Sequence, residues 1–169
     1  IANLGDIYYE RRDFDKAEQH YLQALKLHQK NGDDAKIETM QILDDLAFLY
    51  HGQGNSERAK QIFQELLEKK RQVLGKFHPE TLRTLDFLAQ AEYRLDENER
   101  ALVLFEQFAE GNRQQFGESS MRYANALHSL AIARCGVKDL PGAFDACQQA
   151  VKIATEEVGE QHSETMLFT

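Results

Sequence analysis

The chain has no tryptophan, two prolines, two cysteines and ten glycines in 169 residues. Two cysteines are too few for a disulfide framework, so Cys135 and Cys147 read as small residues in apolar surroundings and a reducing compartment is expected. With so few prolines and glycines, helices can run uninterrupted. Positive charge is also scarce, 20 basic against 28 acidic residues for a net charge of −8. A nucleic-acid backbone or an anionic membrane is therefore not expected as the main partner, because phosphate recognition needs a basic face. No apolar run approaches the roughly 18 residues of a membrane span. The chain opens on "IANLGDIYY" with neither an initiator methionine nor a signal peptide. It reads as an excerpt of a longer chain, expected to be cytoplasmic, with any targeting segment upstream left open.

The marks of catalysis are missing too. His-Glu-x-x-His, Cys-x-x-Cys, a phosphate loop and Gly-x-Ser-x-Gly do not occur. His20 and His28 stand about two helical turns apart, beyond the one-turn spacing that lets two histidines share a metal. No enzyme activity, cofactor or metal is expected within these residues. "GKFHPET" (75–81) does place His78 two residues from Glu80, a spacing found in metal and acid–base sites.

What the sequence does contain is a register. Leu4, Leu46, Leu88 and Leu130 are separated by 42 residues each, and each is followed by a small residue: Gly5, Ala47, Ala89, Ala131. Further on in each copy come Ala17, Ala59, Ala101 and Ala143, then Tyr21, Phe63, Phe105 and Cys147. Within a copy the apolar residues recur at steps of three and four, the period of a helix. Breaks fall at 11–13, 52–55, 95–98 and 136–139, and again at Gly32, Gly75, Gly117 and Gly159. Glycine at such places suits a left-handed residue ending a helix, and Pro141 suits a first helical turn. Each copy is therefore expected to be a helical hairpin whose small residues let two helices approach closely. One hairpin cannot bury its own apolar face, so stacked neighbours must do it. The stretch 75–81 recurs two copies later as "GEQHSET" (159–165), and a signature that repeats behaves as a helix start rather than as a site.

Leu-Gly/Ala-x-x-Tyr followed by Ala and then Phe or Tyr resembles the tetratricopeptide repeat, in the 42-residue form of kinesin light chains and of bacterial and fungal sensor proteins. The tyrosine position reads Glu92 and Arg134 in the third and fourth copies, and Cys147 replaces the last aromatic. The resemblance implies an all-α, right-handed superhelical array of antiparallel helix hairpins. Repeats are expected at about 1–35, 36–77, 78–119 and 120–161, with Thr39 and Thr81 opening first helices, Ile1 already helical and a partial fifth helix at 162–169.

By position in that family, first helices line a concave, ligand-holding face. The implied peptide- or partner-binding candidates are Asn3, Asp6, Asp45, Phe48, Arg83, Phe87, Gln90, Arg94, Asn125 and His128, with Ser129, Ile132, Asp44 and Asp86 close by. Asp44 and Asp45 stand where kinesin light chains often carry asparagine, and aspartate only accepts hydrogen bonds. A carboxylate clamp for acidic tails would need lysines that these helices lack. The resemblance thus implies a protein-interaction scaffold whose partner, protein or peptide, offers basic and apolar side chains. The alternative is an architectural segment that self-associates through its terminal repeats. "LEKKRQ" (67–72) reads as a solvated outer helix face, or else as a basic docking spot.

Overall fold

Residues 2–32 and 37–158 are described by the computed structural model. They form α1 (Ala2–Glu10), α2 (Phe14–Lys30), α3 (Ile37–Gly52), α4 (Ser56–Val73), α5 (Pro79–Arg94), α6 (Asn98–Phe116), α7 (Met121–Gly136) and α8 (Leu140–Val158), with no strand among these residues. Ile1, Gly159 and the expected fifth helix at 162–169 lie outside them. The helices keep the sequence period at their starts. α3, α5 and α7 begin 42 residues apart, and so do α2, α4, α6 and α8.

The turn inside each hairpin has one backbone solution in all four copies. Arg12, Gly54, Asp96 and Lys138, again 42 apart, take φ of 60°, 75°, 59° and 65°. The next residue stands at the N-cap of the second helix. Asp13, Asn55 and Asp139 accept from the backbone N–H three residues on, at 3.4, 3.3 and 3.1 Å, and Glu97 alone makes no such side-chain cap. Three of the four left-handed positions carry a side chain, which costs about 1–2 kcal/mol for an L-residue, less for aspartate. Lys138→Gly should therefore raise stability by about 0.5–1 kcal/mol after the glycine's own chain entropy is deducted, measured by urea denaturation. Gly32, Gly75 and Gly117 follow the second helices at φ of 72°, 92° and 90°, as their glycine identity foretold.

Two compact units form, one within Ile1–Gly75 and one within Lys76–Thr169. In the first, α2 packs on α1 and α3, and α4 on α3; in the second, α6 packs on α5 and α7, and α8 on α7. The small residues occupy the helix crossings. Gly5, Ala17, Ala47, Ala59, Ala89, Ala101, Ala131 and Ala143 are all buried. At Gly5 the approach is too close for a side chain: a Cβ there would lie 2.5 Å from Cε1 of Tyr21. Tyr21, Phe63 and Phe105 fill the space behind these crossings, and Cys147 is half-buried beside Ala131, Ala143 and Ala146. Cys135, expected in apolar surroundings, is exposed. Leu46, Leu88 and Leu130 are buried, whereas Leu4, on α1, which packs chiefly on α2, is 45% exposed.

His78 is the N-cap of α5. Its backbone is extended (φ −61°, ψ 140°), its Nδ1 accepts from the Glu80 N–H at 3.2 Å, and Pro79 opens the helix. One period later Ser120 caps α7, its Oγ accepting from the Tyr123 N–H at 3.3 Å. Position 78 is therefore structural, as its recurrence suggested. Thr39 and Thr81 do not open helices; they sit inside the first turns of α3 and α5, 1% exposed.

Two readings are corrected by the first unit. The stretch 67–72 is solvated only on one side: Glu68 and Gln72 are exposed, but Leu67 and Lys70 are both 3% exposed, because the periodicity of α4 turns them toward α3. There Lys70 Nζ meets Asp44 Oδ2 at 2.6 Å. Asp44 is accordingly buried against α4 rather than presented to a ligand. A second polar tie joins α2, α3 and α4. The Tyr50 hydroxyl donates to Glu18 Oε1 at 2.5 Å, and Arg58 Nη1 donates to the same oxygen at 3.1 Å. Burial first, then the bond to Glu18, pushes the Tyr50 hydroxyl up to about 12.

Candidate functional site

Helical spacing puts Asn3, Asp6, Tyr9 and Glu10 along one side of α1, and Glu38, Gln41, Asp45 and Phe48 along one side of α3. The two rows converge on a pair of neighbouring clefts in the first unit. The larger, about 580 Å³, is lined by Asn3, Asp6, Glu38, Gln41 and Asp45 and has an apolar wall of Ala24, Leu27 and Ile42, with His28 beside it. The smaller, about 290 Å³, is lined by Asp6, Tyr9, Glu10, Tyr21, Asp45 and Phe48. Asp6 and Asp45 are the residues common to both.

Each wall has a packing reason. Tyr21 is 2% exposed, and its hydroxyl donates to Asp6 Oδ1 at 2.8 Å, which fixes that carboxylate's orientation. Burial raises the Tyr21 pKa far above the usual phenol value, with the Asp6 hydrogen bond next and the charge of Asp45 adding to it. The phenol thus stays a donor at any working pH. Phe48 is half-buried, its ring edge-on to Phe63 at 5.8 Å between centroids, so it is both core and cleft wall. His28 Nδ1 lies 3.1 Å from Thr39 Oγ1 and ties α2 to α3 at the cleft's edge. Among the described residues, those lining the two clefts include four carboxylates, Asp6, Glu10, Glu38 and Asp45, and no lysine or arginine.

The second unit has a cleft of its own, about 260 Å³, lined by Gln90, Tyr93 and Arg94 of α5, Phe105 of α6, and Ser129 and Ile132 of α7. Gln90 Nε2 donates to Asp86 Oδ2 at 3.1 Å, while Asp86 Oδ1 is buried without a hydrogen-bond partner. Burial pushes the Asp86 carboxyl up to about 6, the Gln90 bond opposing it. The sign follows from linkage. Between about pH 4 and 6 the folded chain holds a proton that the unfolded chain has lost, so this group's contribution falls as pH rises through that window. Asp86→Asn should remove that loss, raising stability at pH 7 relative to pH 4.5 by on the order of 1 kcal/mol compared with the parent. Paired thermal melts at the two pH values measure it.

Of the residues implied by sequence, the structure gathers Asn3, Asp6, Asp45 and Phe48 in the first unit, and Gln90 and Arg94 with Ser129 and Ile132 in the second. Arg83, Phe87, Asn125 and His128 line none of these three clefts. Arg83 is paired with Glu80 at 2.6 Å on the first turn of α5, Asn125 is exposed, and Phe87 and His128 are half-buried. Glu38 and Gln41 were legible, since they share a helix face with Asp45 and Phe48. Leu27 and His28 were not, because they come from a second helix. No group of three or more His, Cys, Asp or Glu suited to a metal occurs among the described residues, nor does a helix long and apolar enough to cross a membrane.

The tetratricopeptide repeat family model matches residues 1–72 and 38–114. No curated protein sequence matches the chain. Among solved structures, BtubC (BKLC) from P. vanneervenii is 23% identical with a TM-score of 0.81, the match covering 98% of this chain and 67% of that one. A Podosopora anserina putative kinesin light chain with nearly identical TPR-like repeats is 18% identical with a TM-score of 0.86, over 99% of this chain and 79% of that one. A Rap protein complexed with competence and sporulation factor is 17% identical with a TM-score of 0.66, over 92% of this chain and 42% of that one. At these identities the likeness is one of fold.

Proposed function

The chain belongs to the tetratricopeptide repeat family, and from that premise we propose that it is a protein-interaction module holding a basic and apolar segment of a partner in the paired clefts of its first unit. One observation carries the reading: Asn3, Asp6, Asp45 and Phe48, singled out by repeat position, line this pair of clefts, whose lining among the described residues has four carboxylates and no lysine or arginine. The first helices of the repeats, α1 and α3, supply most of that lining, in keeping with binding on the face that first helices share. The Rap protein solved with its factor is a member of the same fold with a ligand bound.

The test is direct binding. A fluorescein-labelled peptide of alternating leucine and arginine should bind the parent chain measurably by anisotropy. Asp45→Lys combined with Leu27→Ser, a residue already 48% exposed, should weaken it more than about tenfold with the melting temperature unchanged. Binding that survives this pair, or that is equal for an alternating leucine–glutamate peptide, overturns the proposal.

A second reading, an architectural segment that meets a second copy of itself, rests on α8, where Leu140 and Phe144 are 65% and 66% exposed. Light scattering decides it: a dimer that Phe144→Ser abolishes supports this reading, and a monomer at all concentrations sinks it.

A further inference from the structure

The repeat register pairs the exposed apolar residues of α1 with those of α8. Leu4 and Ile7 of α1 are each 45% exposed. The same repeat positions are buried in α3, where Leu46 and Leu49 are 2% and 1% exposed, and in α7, where Leu130 and Ala133 are 6% and 0% exposed. The difference is a neighbour. α3 packs on α2 and α7 packs on α6, in each case the second helix of the preceding hairpin. Among the described residues no helix stands before α1 in that role.

α8 carries the other half of the same junction. Phe144, 66% exposed, stands at the repeat position that Leu102 holds in α6. Leu102 is half-buried, packed on the cluster that includes Leu130 and Ala133 of α7. Those two are the repeat equivalents of Leu4 and Ile7. The first unit repeats the pairing at its own α2/α3 contact. Glu18 of α2, equivalent to Phe144, accepts from the hydroxyl of Tyr50 of α3, equivalent to Tyr8. In both junctions, then, the position of Phe144 lies against the face that Leu4, Ile7 and Tyr8 occupy on α1. Leu140, one turn before Phe144 on the same helix, is 65% exposed and extends the apolar surface.

We propose that α8 of one copy of this chain docks on α1 of a second copy, head to tail, with Phe144 seated against Leu4, Ile7 and Tyr8. The occupant is a second copy because each exposed face is half of a junction that the chain already forms twice, between α2 and α3 and between α6 and α7. Burial of apolar area on both sides drives the contact, as it does between neighbouring repeats. Two different surfaces meet, so every added copy leaves one face of each kind open, and growth passes beyond a dimer unless the copies close into a ring. None of these residues lines the paired clefts of the first unit. The proposal deepens the architectural reading under Proposed function and rests on it.

The experiment is sedimentation velocity on the whole chain over a wide concentration range. The mean mass of the parent is expected to climb with concentration past twice that of the monomer. Ile7→Asp and Phe144→Asp, each at an exposed position, should both be monomeric. An equimolar mixture of the two variants should restore a dimer and nothing larger, since one variant keeps the α8 face and the other keeps the α1 face. That rescue holds even where Ile7→Asp disturbs α1, because this variant contributes only its α8. Association that Phe144→Asp abolishes and Ile7→Asp leaves intact shows α8 meeting α8. That result, a mixture that stays monomeric, or association that survives both substitutions overturns the head-to-tail contact while leaving self-association standing. A parent chain that is monomeric throughout overturns the architectural reading as well.

Discussion

Ala101→Arg should unfold or severely destabilise the second unit, with a loss beyond the roughly 1–3 kcal/mol of ordinary overpacking. Ala101 is 0% exposed and belongs to the cluster that also holds Ala89, Phe105, Ala124, Leu127 and Leu130. At that crossing a methyl group already fills the available space, and packing in protein interiors leaves no slack for a longer side chain. Arginine adds a charge whose burial without a partner costs several kcal/mol more. Because Ala101 occupies the same repeat position as Ala17, Ala59 and Ala143, the effect tests the register itself. A far-ultraviolet melt that coincides with the parent's would show that this crossing is not where the register puts it. Ala101→Gly serves as the control; it keeps the space and should cost only about 1 kcal/mol in helix propensity.

Lys70→Ala should be the second large loss, about 3–5 kcal/mol. Lys70 and Asp44 side chains are 3% and 9% exposed and meet at 2.6 Å between α4 and α3. Removing the ammonium leaves a carboxylate in a place where water cannot replace the lost partner. The informative comparison is the double variant Lys70→Met with Asp44→Leu. A buried ion pair pays its own desolvation, so exchanging both charges for apolar groups should recover most of the loss and can exceed the parent. Urea denaturation of the two single variants and the double gives the coupling directly. If Lys70→Ala costs no more than a surface pair, about 0–1 kcal/mol, the pair contributes nothing by being buried.

These two sites differ in how they could be found. Ala101 announces itself, because small residues at four equivalent positions with helical spacing have one physical use. Lys70 does not. It stands in "LEKKRQ", a run with the composition of a solvated face, and only the rotation of α4 against α3 turns one of its lysines inward. The same contrast holds for the clefts. Asp45 and Phe48 follow from their place beside the repeat leucine, and Glu38 and Gln41 follow from the same helix face. That Leu27 and His28 of α2 complete the wall, or that Tyr21 spends its hydroxyl on Asp6, is a fact about how helices cross. The left-handed turns were half legible. Gly54 fits such a backbone, whereas Arg12 and Lys138 give no hint of it and take it only because the hairpin closes there.

By itself, then, the sequence determines the period, the hairpins, their helical class and the small residues at each crossing. Those depend on local propensity and on spacing along one helix, and both are written in the order of residues. The tertiary structure alone decides which charges are buried and paired, as with Lys70 and Asp44, and which carboxylates share one cleft, as with Asp6 and Asp45. Those depend on distances between residues far apart in the chain, where a few degrees of helix rotation exchange a solvated charge for a buried one.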